Sequence, residues 1–156
     1  MNRAGWGRNR VAVGLCIVLA VLAAIAAAVF RADPTSAPSD ANALPWERDL
    51  DLAFTRAAAE GKLVFMEIFA EWCGVCRKME SETLSQTDVQ TRLGRYVLLK
   101  IDSDHDPEMA ARYGTSVLPT LVVLDTDRTV LWRGVGFLTS DELLGALDSA
   151  EGKQKQ

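Results

Sequence analysis

The chain has 156 residues, 49% of them apolar and 24% charged, with a formal net charge of −4 at pH 7. That length holds one globular domain plus an appendage. The first thirty residues carry three arginines and no acids, so the remainder holds 14 basic against 21 acidic residues, a net of −7 that argues against nucleic-acid binding.

Residues 1–10 contain Arg3, Arg8 and Arg10 and read as a cytoplasmic segment. Residues 11–30 form an uncharged apolar block, about 30 Å long as a helix, the thickness of a bilayer core. The block is expected to be a single transmembrane anchor in the inner (cytoplasmic) membrane. The excess of arginine before it places everything from Arg31 onward in the periplasm or outside. A cleaved signal peptide is the competing reading. Its apolar core would run only about 7–15 residues, although Ala26, Ala27 and Ala28 are small enough for cleavage. Both readings export the rest of the chain. Residues 31–44, rich in Pro, Ser, Ala and Asp, read as a flexible linker with a reach of about 20 Å.

Residues 45–150 read as one domain. A helix is expected from Trp46 to Gly61 on the stripe Leu50, Phe54, Ala57, followed by a strand from Leu63 to Phe69. A helix from Gly74 to Leu84 comes next. It breaks at Ser85–Thr87 into a second piece, Asp88 to Leu93, with Asp88 as N-cap. Tyr96 to Ile101 is a strand, and Asp106-Pro107 opens a helix that runs to Tyr113 and stops at Gly114. Leu121 to Asp125 and Thr129 to Arg133 are strands joined by a turn, and Thr139-x-x-Glu142 is a capping box for a last helix to Ala150. Residues 151–156 are a polar tail. The order predicts an α/β fold, a central mixed sheet with helices on both faces.

The chemistry sits at Trp72-Cys73-Gly74-Val75-Cys76, where an apolar strand gives way to a helix. Two cysteines three apart share a helix face, so their sulfurs can bond. At a helix N-terminus the first thiol ionises more readily, with a pKa lowered from about 8.5 into a range of roughly 3.5–7.5. This is the pattern of a thiol–disulfide exchange site. Structural zinc would need four ligands, and Cys16 in the apolar block and His105 as the single histidine do not readily supply them. A purely structural disulfide would close too short a loop to matter. Asp102, Asp104 and Asp106 alternate, but the glycine and distal glutamate of a calcium loop are missing. Glu67 is an anomaly in the strand LVFMEIF. If buried, it must be protonated or partnered; otherwise it points to solvent from a half-exposed strand.

With Leu118-Pro119-Thr120 added, this arrangement resembles the thioredoxin superfamily over about Leu44 to Ala150. Within it, the run from Glu67 through Trp72-Cys73 to Glu80, Thr83, Ser85 and Val89 is similar to the C-terminal periplasmic domain of DsbD disulfide reductases. The resemblance implies the following roles. Cys73 is the exposed attacking cysteine and Cys76 the resolving one. Glu67 is the buried acid that takes the resolving thiol's proton, and Glu80 is a second acid near the site. Trp72 covers the site. Leu118 and Pro119, the latter after a cis bond, hold an extended substrate segment. No cofactor is implied beyond the redox-active Cys73–Cys76 pair. Unlike DsbD, the chain has one apolar span, so electrons would come from a separate membrane donor.

The function expected is a membrane-anchored thiol–disulfide oxidoreductase that reduces protein disulfides, with cytochrome c maturation as one setting. Gly74-Val75 between the cysteines is nearer the reducing type than the His-containing oxidase type. The alternatives are a copper-binding module using Cys73, Cys76 and His105, since soft thiolates suit Cu(I), and a net disulfide oxidase.

Overall fold

The computed structural model describes residues 44–114 and 116–154. The expected anchor at 11–30, and all of the linker except Leu44, lie outside these residues. Among the described residues no helix is long and apolar enough to cross a membrane.

Five strands form one mixed sheet: β1 (Trp46–Glu47), β2 (Val64–Phe69), β3 (Val97–Asp102), β4 (Thr120–Leu124) and β5 (Val130–Val135). Their order across the sheet is β1-β3-β2-β4-β5. β3 runs parallel to both β1 and β2, while β4 is antiparallel to β2 and to β5. The helices are α1 (Leu50–Glu60), α2 (Gly74–Met79), α3 (Thr87–Leu93), α4 (Pro107–Tyr113) and α5 (Ser140–Gln154).

All six residues of β2 are buried, which explains why the run is apolar without alternating. Val64, Met66 and Ile68 pack with Ala53, Phe54 and Ala57 of α1 and Tyr113 of α4. Phe65 packs on the other face with Met79, Val89 and Leu93, and with Leu143 and Leu147 of α5. Each fully buried Leu or Phe contributes about 1.5–3 kcal/mol, against about 0–1 kcal/mol for an exposed ion pair such as Lys78–Glu82. The two cores therefore hold the sheet between its helix layers.

Four local expectations are corrected. Trp46 and Glu47 are a strand, not the start of a helix; they pair with Leu98 and Leu99. The apolar stripe of α1 begins only at Leu50, and Asp49 caps it by accepting the Leu52 N–H at 2.8 Å, leaving the Trp46 ring to pack 6.1 Å from that of Phe65. The predicted long helix after the cysteines ends at Met79 and passes into a wide, π-helical turn over Glu80–Leu84. Asp88 does not cap α3. Ser85 Oγ and Gln86 Nε2 donate back to the carbonyls of Ser81 and Glu82, so α3 begins at Thr87, one residue early. Asp88 then lies in the first turn and accepts the N–H of Val89. Finally, the last helix reaches Gln154 rather than Ala150, because Lys153 Nζ ties its final turn to Leu131 O at 2.9 Å. The other boundaries fall within two residues of expectation. Asp106 caps α4 by accepting the Met109 N–H, and the Thr139–Glu142 box opens α5.

Candidate active site

β2 delivers the chain to Phe69, and a turn closed by the Cys73 N–H on Ala70 O carries it into α2. Cys73 is the N-cap of that helix, in extended backbone, and its Sγ accepts the Cys76 N–H at 3.0 Å. The two cysteines form a disulfide, with Cα atoms 5.3 Å apart. In this state Cys73 is not the exposed cysteine expected: it is 5% exposed and Cys76 2%. Both pack with Phe69 and Ala70, and Leu118 closes against the same cluster. Arg77 Nη1 donates to Glu71 O at 2.8 Å and braces the loop.

The Leu118–Pro119 bond is cis. Pro119 is buried, and its carbonyl accepts the Gly136 N–H at 2.8 Å. Thr120 Oγ1 donates to Val117 O, folding that loop toward the cysteine cluster. Trp72 is 68% exposed, and its indole N–H donates to Asp104 Oδ2 at 2.8 Å. Trp72, Val75 and Val117 thus leave exposed apolar surface around a buried disulfide.

Glu67 is fully buried, and neither carboxylate oxygen has a hydrogen-bond partner. Burial raises its pKa above the ordinary carboxylate value; the positive charges of Lys100 and, more weakly, Arg48 pull the other way. Lys100, itself 6% exposed, is the residue that sequence reasoning missed. Its Nζ lies 3.4 Å from Glu67 Oε2, an ion-pair distance, and it donates a hydrogen bond to Glu80 Oε1. The ring of Phe69 is 4.5 Å from the same ammonium. A lysine inside the apolar run YVLLKI was the available signal; its position opposite Glu67 depends on strand register, which the run does not disclose.

The structure therefore joins Cys73, Cys76 and Leu118 in one cluster, and Glu67 to Glu80 through Lys100. It does not bring in His105. That side chain is 84% exposed with Nδ1 3.0 Å from Asp102 Oδ2. Asp102 is held below the usual carboxylate range, first by the Asp104 N–H and then by His105. Among the described residues no group of three or more His, Cys, Asp or Glu side chains gathers to hold a metal, so the copper ligand set is not assembled here. What the arrangement offers is a disulfide behind an apolar lip, with a buried acid on the sheet face that carries α2.

Comparison with known proteins matches residues 50–151 to the family model of a thioredoxin-like domain. Thioredoxin of Bacillus subtilis is 37% identical over 93 residues, covering 60% of this chain and 86% of that protein. The thiol:disulfide interchange protein DsbD of Actinobacillus pleuropneumoniae is 30% identical over 116 residues, covering 69% of this chain but only 20% of DsbD. The solution structure of a thioredoxin from Thermus thermophilus superimposes with a TM-score of 0.64 at 28% identity, covering 70% of this chain and 88% of that one.

Proposed function

Because the chain belongs to the thioredoxin-like family, as a thiol–disulfide oxidoreductase of the thioredoxin type, we propose that it acts as a membrane-anchored reductant of protein disulfides outside the cytoplasm, re-reduced by a separate membrane electron donor. The observation that carries this reading is the Cys73–Cys76 disulfide capping α2, with the buried carboxyl of Glu67 on the same side of the sheet. The uncharged block at residues 11–30 and the arginines before it support the anchor and its orientation.

The dithiol form does the reducing. Cys73 thiolate attacks one sulfur of a substrate disulfide; a Cys73–substrate bond forms, and the other substrate sulfur leaves as a thiolate. Cys76 then loses its proton to the Glu67 carboxylate and attacks Cys73 Sγ. The mixed disulfide breaks, the second substrate sulfur leaves with its electron pair, and the Cys73–Cys76 bond is restored. Two electrons pass to the substrate and none remain on the protein. Trp72, Val75, Val117 and Leu118 offer the apolar surface against which a substrate segment lies.

The test is the reduction potential of the purified full-length chain, together with insulin reduction. A potential near that of thioredoxin, about −270 mV, supports a reductant; one near the strongly oxidising end, about −120 mV, makes the chain an oxidase instead. Carbonate extraction with protease protection tests the anchor, and a soluble product lacking the apolar block would show cleavage.

A further inference from the structure

The turn that leaves β3 runs Asp102-Ser103-Asp104-His105-Asp106, and its side chains reach the rim of the disulfide. Backbone bonds fix its frame. The Ser103 N–H donates to Phe69 O at 2.8 Å, and Asp102 O accepts the N–H groups of His105 and Asp106 at 3.2 and 2.8 Å. The Asp102 carboxylate, 13% exposed, is the hub of the side-chain bonds. Its Oδ1 accepts the Asp104 N–H at 3.0 Å, and its Oδ2 lies 3.0 Å from His105 Nδ1. Asp104 in turn accepts the Trp72 indole N–H on Oδ2 at 2.8 Å. A continuous path thus runs from the exposed imidazole of His105 through Asp102 and Asp104 to Trp72, the residue before Cys73.

We propose that Asp102 and His105 are positioning residues for the Trp72 side of the substrate surface, and that a proton on His105 tightens their hold, so that protein disulfides bind more tightly at mildly acidic than at mildly alkaline pH. The inference rests on the oxidoreductase reading of Cys73 and Cys76. Asp102 is held below the usual carboxylate range, first by the Asp104 N–H and then by His105, so it stays an anion where histidines change charge, between about pH 5 and 8. With the imidazole protonated, the bond from Nδ1 to Asp102 is charge-assisted and roughly twice as strong as a neutral one. The neutral ring is a weaker donor, and in its other tautomer it turns a lone pair toward the carboxylate. Asp102 is then less firmly fixed, and with it the Asp104 carboxylate and the indole. No bond to sulfur is altered, so the effect falls on binding rather than on the chemical step.

The other charged residues around His105 are occupied elsewhere or lie open to solvent. Those sharing its cleft of about 380 Å³ are Arg48, Glu71, Lys100, Asp102 and Asp106. From the segment between β1 and α1, Arg48 stacks 5.2 Å over the Phe69 ring. From β3, Lys100 is engaged by Glu67 and Glu80. From the turn after β2, the exposed Glu71 gives its carbonyl to Arg77. At the start of α4, Asp106 accepts the Met109 N–H, and the exposed Glu108 follows it.

The experiment labels the oxidised full-length chain with ¹⁵N at tryptophan and identifies the Trp72 indole signal by its loss in Trp72→Phe. That signal should move between about pH 5 and 8 in step with the imidazole of His105, the single histidine. In His105→Gln the movement should disappear. Any contribution from Glu67 is present in both chains and cancels in the comparison. In steady-state reduction of a protein disulfide, KM of the wild-type chain should rise about two- to fivefold across the same range, while KM of His105→Gln stays near the upper value and kcat varies with pH alike in both. His105 is exposed, so its replacement keeps the fold even if Asp102→Asn does not. A Trp72 signal indifferent to His105 overturns the proposal, as does a ratio of the two KM values that does not change with pH. If the signal follows His105 but the chain reduces no disulfide, the hold on Trp72 is upheld and the reductant reading falls instead.

Discussion

Cys73 Sγ accepts the backbone N–H of Cys76 at 3.0 Å, so the sulfur that begins the helix is also bonded, covalently and through hydrogen, to the residue that would displace a substrate from it. Once the disulfide is reduced, that N–H and the helix terminus favour negative charge on Cys73 rather than Cys76. In the reduced chain iodoacetamide should therefore modify Cys73 first, and Cys76→Ser should accumulate mixed disulfides while Cys73→Ser accumulates none. Faster labelling of Cys76 would reverse the two roles.

Replacing Glu67 with Gln removes the proton acceptor but keeps its shape. Resolution of the mixed disulfide should slow on the order of 10²-fold, with the first attack by Cys73 little changed. Stopped-flow mixing with a protein disulfide separates the two steps; an unaltered second step takes Glu67 out of the mechanism.

The same substitution has a signature in stability. Burial raises the pKa of Glu67 above its unfolded value. Between those two values the folded chain keeps a proton that the unfolded chain has released. The contribution is complete below the unfolded pKa and is lost as pH rises toward the folded one. Gln does not titrate. Urea midpoints should show the wild-type chain losing ground to Glu67→Gln from about pH 5 upward. A gap between them that does not vary with pH refutes this.

Trp72 is held by one hydrogen bond to Asp104, and Asp104 is held in turn by its N–H on Asp102 Oδ1. Asp104→Ala should free the indole and raise KM for a protein disulfide several-fold while kcat changes little. Steady-state kinetics check this; a fall in kcat at constant KM would place Trp72 in the chemistry instead.

Asp49 caps α1 by accepting the Leu52 N–H at 2.8 Å. Asp49→Ala should cost about 1 kcal/mol of stability, read by urea denaturation, with no change in disulfide exchange.

Much of this was legible because the signals are local. The Asp106-Pro107 cap, the Thr139–Glu142 box and the strand leading into Cys73 each lie within a few residues of what they determine. The features that escaped depend on partners far along the chain. Trp46–Glu47 becomes a strand only because β3 offers an edge fifty residues away, and two residues carry no period of their own. Glu67 was recognised as anomalous, but Lys100 is identified as its partner only once β2 and β3 are in register. The wide turn at Glu80–Leu84 has no cap, glycine or proline to announce it.

That turn governs what changes of length the chain can accept. Upstream of it the helix phase is set by the cysteine pair and Glu80; downstream it is set by Leu84, Val89 and Leu93 in the core, and by Thr83, whose Oγ1 donates to Leu138 O at 2.6 Å. Each helical residue turns the chain by about 100°, so the two phases are reconciled only by this segment's residue count. Deleting one residue would force a choice between swinging Leu84 and Val89 off the core and pulling Glu80 from Lys100. Exchanges at the exposed Ser81 and Glu82 disturb neither phase. Natural or engineered variants of this stretch should therefore differ in letters and agree in number.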